Sequence, residues 1–256
     1  MPIEVRFGEE QFSDGVTLLP EQFYERLVKS AELPNTSQIN EYAFEEKFSS
    51  LVAQGYEVVA IILSSKLSGT YSNALAAAEK FKDKVFVVDS LNASAGERLL
   101  CLYALRLAKE GQSAEQIVKE LNKAREKVNF IALLDTLRYL KKGGRISAIS
   151  ALAGHLLSIK PVVSVIEGEV KLVGKAMGAR KGALLLSELV GGKDIDFSMP
   201  YGAIYSGNDK SKIEQYISEN AEIWEDRIHD GELYILGCTV GTHIGPGGIG
   251  VAFFEK

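Results

Sequence analysis

The sequence predicts a two-domain α/β protein: an N-terminal doubly wound parallel sheet followed by a C-terminal α/β domain with a mixed or mostly antiparallel sheet. Three observations carry this. The apolar run Val58-Val59-Ala60-Ile61-Ile62-Leu63 reads as a buried parallel strand, and the Ala-rich run Ala74-Leu75-Ala76-Ala77-Ala78 behind it reads as helix. Strand and helix patterns alternate through the first half, as in βαβ architecture. After about Val128 the texture changes to short strands, two of them joined by a tight turn at Gly168.

In chain order, Pro20 opens a helix over 20–30, with Phe23, Leu27 and Val28 at helical spacing. Residues 33–38 read as a polar loop, and 42–54 as an amphipathic helix ended near Gly55. A strand over 58–63, a helix over 73–81 and a strand over 84–88 follow. Helices over 95–109 and 113–128 are separated by Gly111. The second half offers a strand over 130–134, a run 137–140 leading into Lys141-Lys142-Gly143-Gly144-Arg145, and an apolar helical stretch over 146–158. Strands are expected over 162–166, 169–173, 201–205, 232–236 and 249–254, with helices over 180–190 and 210–222 between them. The domain boundary falls between residues 127 and 128.

With 256 residues, 46% hydrophobic and 25% charged, the chain has the composition of an ordinary soluble protein. A net charge of −5 argues against a nucleic-acid partner. The apolar runs are too short to span a bilayer, and the first residues lack a secretory h-region, so the cytoplasm is the expected compartment. Cys101 and Cys238 show no metal-ligand spacing and read as small buried apolar residues. No metal or cofactor is expected.

Four loops concentrate polar groups: Asn35-Thr36-Ser37-Gln38, residues 64–73, residues 141–147, and Gly241-Thr242-His243-Ile244-Gly245-Pro246-Gly247-Gly248. The stretch Ser64-Ser65-Lys66-Leu67-Ser68-Gly69-Thr70-Tyr71 lies between a strand's carboxyl end and a helix's amino end, where open α/β proteins place ligands and unpaired N–H groups favour anions. Two readings stand there: Ser68 or Thr70 caps the helix, or the loop holds a carboxylate or phosphate. His243 likewise reads either as a turn residue or as a ligand-facing one. His155 reads as a helix-face residue and His229 as a surface residue. No Gly-x-Ser-x-Gly elbow or Walker loop is present, and the Gly245–Gly250 glycines precede a strand rather than opening a helix after one. The neutral donors Thr36, Ser68 and His243 suit holding a carboxylate better than breaking a bond.

These motifs, together with Val88-Asp89-Ser90, Gly143-Gly144-Arg145-Ile146-Ser147, Ser158-Ile159-Lys160-Pro161 and His243-Ile244-Gly245-Pro246-Gly247, occur in the order that resembles the DegV family of bacterial fatty-acid-binding proteins. Some members serve as the acyl-binding subunit of fatty acid kinase. The resemblance implies that Thr36 and Ser68 bond a long-chain fatty acid's carboxylate and that His243 lies near the same head group. It implies that Ser37, Gly69, Thr70 and Gly245 support the site. The acyl tail would run in an apolar tunnel between or beside the domains, with the 146–157 helix contributing.

On this reading the chain is a non-catalytic carrier that presents its ligand to a separate ATP-binding kinase subunit, with transient membrane contact allowed. The alternatives are a serine hydrolase or acyltransferase using Ser68 and His243, and a lipid carrier without a kinase partner. Two departures from the family pattern stand out. The family's first strand–helix unit is missing before residues 5–16. Met177 precedes Gly178 where an Arg-Gly pair is usual, with Arg180 three residues on.

Overall fold

The computed structural model describes residues 1–145, 159–224, 226–229 and 231–256; the helix expected over 146–158, with His155, lies outside the described residues. The chain opens with a hairpin to which the sequence reading gave no element, β1 (Glu4–Phe7) and β2 (Glu10–Ser13). Val5 and Phe7 face inward and Glu4 and Arg6 outward, the two-residue alternation of a half-buried strand. Helix α1 (Pro20–Lys29) begins at its proline as expected and buries Phe23, Tyr24 and Leu27.

Residues 33–38 are not wholly loop. Asn35–Ser37 forms a short strand, β3, antiparallel to β1, so that Thr36 stands opposite Val5. A three-residue polar segment has little strand propensity of its own; the free edge of β1 imposes the conformation. Helix α2 (Glu41–Ala53) is capped by the Asn40 side chain, which accepts from the Ala43 N–H.

The parallel pair β4 (Val58–Ile62) and β5 (Val85–Asp89) is covered on both faces. Val58, Ala60 and Ile62 meet α2 and α3 (Thr70–Ala78), while Val59 and Ile61 meet α4 (Ala95–Lys109) and α5 (Ala114–Ala124). This two-sided burial explains the unbroken apolar run. Helix α3 starts at Thr70, three residues before the expected start, because Gly69 and Thr70 already hold helical geometry; a 3-10 turn (Glu79–Phe81) continues it. Ser113 caps α5 through a reciprocal pairing with Gln116.

In the second half, β6 (Val128–Leu133), α6 (Arg138–Gly143), β7 (Ile159–Ile166), β8 (Glu169–Met177), α7 (Ala179–Gly191), β9 (Gly202–Tyr205), α8 (Ser211–Glu219), α9 (Ala221–Trp224), β10 (Leu233–Ile235), α10 (Cys238–Ile244) and β11 (Ile249–Phe254) follow in order. Six strands form one sheet in the order β10-β9-β11-β6-β7-β8. It is mixed: β9 and β10 run parallel and every other neighbouring pair antiparallel. The expected hairpin is present, with Glu167 and Gly168 both at positive φ (53° and 82°).

Helix α4 joins the β4–β5 pair to the six-stranded sheet. Its Leu99 and Leu100 share one core with Leu121 of α5, Phe130 and Ala132 of β6, Ile204 of β9 and Phe254 of β11. We propose the division at residues 127 and 128 as one between sheets, since this core is continuous across it.

Candidate functional site

The expected site loops meet where the carboxyl ends of β4 and β5 face the larger sheet. Hydrogen bonds tie the loops after β4 and β5 together: the Ser64 N–H donates to the Asn92 carbonyl, and the Ser65 N–H to the Asp89 carboxylate. The buried Ser64 hydroxyl donates to the Gly168 carbonyl at 2.7 Å, pinning the β7–β8 hairpin onto the loop after β4.

Thr36, Ser68 and His243 all line one cavity. His243 is not in a glycine-bracketed turn but in the last turn of α10. That helix is held from outside: Asp14 accepts from the Cys238 and Thr239 N–H groups, and Gly241 lets the helix approach Phe23 and Tyr24 closely. His243 Nε2 lies 3.1 Å from Thr36 Oγ1. Burial, reinforced by the Arg145 charge, pushes the imidazole down to about 4, so it is neutral at pH 7. With the proton on Nε2 it donates to Thr36 Oγ1, leaving the threonine proton free for a ligand oxygen.

Ser68 is set in the same manner. Its Oγ accepts from the Thr70 N–H at 3.2 Å and lies 2.9 Å from Thr70 Oγ1, which itself accepts from the Ile39 N–H. When Thr70 donates its hydroxyl proton to Ser68, the Ser68 proton is free to point into the cavity. Gly69, not Ser68 or Thr70, holds the N-cap position of α3, with no side-chain cap hydrogen bond; Thr70, the first residue of the helix, instead supports Ser68.

Ser37 lies beside the cavity, but its hydroxyl donates outward to Glu4. Gly69 packs where any Cβ would collide with the Gln38 amide, and Gly245, at φ +73°, packs against the Tyr139 ring. Gly143 leaves room for the His243 ring.

Most of the remaining cavity wall is apolar. Phe130, Ala132 and Leu134 come from β6 and its end, Val163 and Val165 from β7, Val170 from β8, and Leu63 and Leu67 from the β4 side. Its space, open mouth included, is about 890 Å³. The arrangement sets hydroxyl and imidazole groups able to donate to an anion beside a mostly apolar wall.

Sequence reasoning gave Arg145, Gln38, Ser94 and Thr239 no role, although all four line the cavity. Arg145 and Gln38 lie within flagged loops. Arg145 reaches the Leu67 and Gly143 carbonyls and is in no ion pair among the described residues. Ser94 and Thr239 carried no signal beyond being near flagged segments. His229 is exposed, and Cys101 and Cys238 are half-buried and buried with their thiols pushed up by burial to about 11 and about 12. No helix among the described residues is long and apolar enough to cross a membrane, and no metal-binding cluster occurs among them.

The chain is 32% identical over 258 residues to a DegV domain-containing protein of Caldanaerobacter subterraneus, covering 100% of this chain and 91% of the relative. A DegV domain-containing protein of Deinococcus radiodurans is 32% identical, with 98% and 89% covered. Among solved structures, a fatty-acid-binding DegV family protein from Thermus thermophilus superposes with a TM-score of 0.88 at 29% identity, covering 100% of this chain and 91% of that one. DegV from Bacillus subtilis, described as a fatty acid binding protein, gives 0.83 at 30% identity, covering 100% and 91%. A stearic-acid-binding protein from Eubacterium ventriosum gives 0.87 at 26% identity, covering 100% and 90%. The family model described as "Uncharacterised protein, DegV family" matches residues 1–256, and the chain belongs to the DegV family.

Proposed function

We propose that this protein binds a long-chain fatty acid, its carboxylate held by Thr36, Ser68 and His243 and its tail along the apolar cavity between the two sheets. One observation carries the reading: Thr36 of β3, Ser68 in the loop before α3 and His243 of α10 line one cavity whose remaining wall is mostly apolar. A carboxylate accepts several hydrogen bonds, and a desolvated one needs them. Each buried CH₂ of the tail adds about 0.8 kcal/mol. The fatty acids named for the Thermus, Bacillus and Eubacterium structures support the same ligand class.

Native mass spectrometry of purified protein, followed by lipid extraction, tests this. A bound long-chain acid is expected. Each hydrogen bond to the carboxylate contributes about 1.5–3 kcal/mol, so Ser68→Ala should weaken binding about tenfold or more. Full affinity in both Ser68→Ala and Thr36→Ala would remove the assignment.

The further step, presentation of the carboxylate to a separate ATP-binding kinase subunit, is part of the same proposal. Acyl phosphate should form only when such a subunit and ATP are added; formation by this chain with ATP alone would refute it. The hydrolase alternative needs a Ser68–His243 hydrogen bond. Ser68 pairs with Thr70 and His243 with Thr36, which favours the carrier. Ester hydrolysis that vanishes in Ser68→Ala would reverse that preference.

A further inference from the structure

Ser94 holds φ +58° and ψ −127°, a backbone region that glycine adopts freely and a residue with a Cβ does not. It occupies the N-cap position of α4, yet its hydroxyl makes no cap hydrogen bond. Its buried Oγ has no hydrogen-bond partner among the described residues. The hydroxyl therefore caps nothing, while the Ser94 carbonyl accepts the Arg98 N–H at the start of the helix. Thr239, in the first turn of α10, presents a second buried hydroxyl without a partner among the described residues. The amino end of α10 is already served by Asp14, so this hydroxyl is not needed there either.

Both residues line the acyl cavity, and both also line the cleft that adjoins it beside β4. The two spaces share Ile3, Leu63, Ala93, Ser94, Thr239 and Val240 as walls. Four of those six walls are apolar; the two unpartnered hydroxyls are the exceptions. Further along the cleft, one turn on from Ser94, burial pushes the Glu97 carboxyl up to about 7, so that it too can be a neutral donor.

We propose that Ser94 and Thr239 form a second polar station in the acyl site, so that the protein prefers long-chain acids bearing a hydroxyl beyond the carboxylate over their plain counterparts. This rests on the fatty-acid reading above and specifies its substrate class. A chain hydroxyl is both donor and acceptor, so it can accept from one of these side chains and donate to the other. A methylene at the same place leaves both unpaired in an apolar wall, which is the kind of mismatch that discriminates strongly between analogues.

The test is competition binding to delipidated protein with stearate and a series of hydroxystearates differing in hydroxyl position. At least one hydroxystearate should bind about tenfold more tightly than stearate. Ser94→Ala and Thr239→Val should each bring that ratio towards one by weakening hydroxystearate binding, with stearate bound as tightly as before or more tightly. Ser94→Gly should lose the preference and raise the melting temperature, because glycine relieves the strained backbone. Stearate binding with no preference for any hydroxystearate, or a preference that survives in these variants, would overturn the second station alone. Failure of stearate and every hydroxystearate to bind would overturn the fatty-acid reading with it.

Discussion

Replacing His243 with glutamine isolates an acid sensitivity built into the site. The imidazole is pushed from its ordinary 6.5 to about 4, chiefly by burial and further by Arg145. The unfolded chain therefore takes up a proton over a pH range in which the folded protein does not. The stability contributed by the neutral ring is full above about pH 6.5, is lost as pH falls towards about 4, and changes no further below that. A gap of about 2.5 units at about 1.36 kcal/mol each amounts to about 3 kcal/mol. Glu97 acts with the opposite sign: its raised pKa of about 7 means that the folded form gains relative stability as pH falls from about 7 to 4.5. The wild-type profile alone is therefore a sum, and the difference between wild type and His243→Gln removes Glu97 from it. Urea unfolding of ligand-free protein at pH 7 and near pH 4 supplies both profiles. Wild type should lose about 3 kcal/mol more than the variant; parallel profiles would refute the assignment of a buried neutral histidine.

Gly69→Ala should weaken long-chain acid binding about tenfold, because its Cβ displaces the Gln38 amide at the start of α3; competition binding reads this out. Gly245→Ala should destabilise the fold by about 1–3 kcal/mol through its positive φ and the Tyr139 ring, measured as a lowered urea midpoint. Reloading delipidated protein with a long-chain acid at about 100 times its dissociation constant should stabilise it by about 2.7 kcal/mol. Acetate should not do so, and calorimetric melting decides between them.

Legibility followed the range of the interactions. The β4 run and the helices α1, α2, α4 and α5 were readable because their patterns report local period and burial. β3 was not, since Asn35-Thr36-Ser37 becomes a strand only beside β1. Nor was α10: Thr239, Val240 and Gly241 are poor helix formers, and it is held by the Asp14 cap and by packing on α1. The glycine at 241 marks a close approach of two elements, not a turn. The three proposed head-group residues were named by motif, but the chains of hydrogen bonds orienting them join residues distant in sequence, such as Ile39 with Thr70 and Thr36 with His243.

The strand order also bears on how the molecule is made. β11 sits inside the six-stranded sheet, pairing Leu133 with Ile249 and Val128 with Phe254, partners brought together across a large part of the chain. Closing so wide a loop is entropically slow, and until it closes β6 keeps an open edge liable to pair with other chains. α10, which carries His243, directly precedes β11, so completion of the proposed head-group site and closure of the sheet's interior are coupled events. During folding, competence to capture a lipid should arise late and abruptly, and a chaperone that shields the waiting edge of β6 would govern the yield of binding-competent protein.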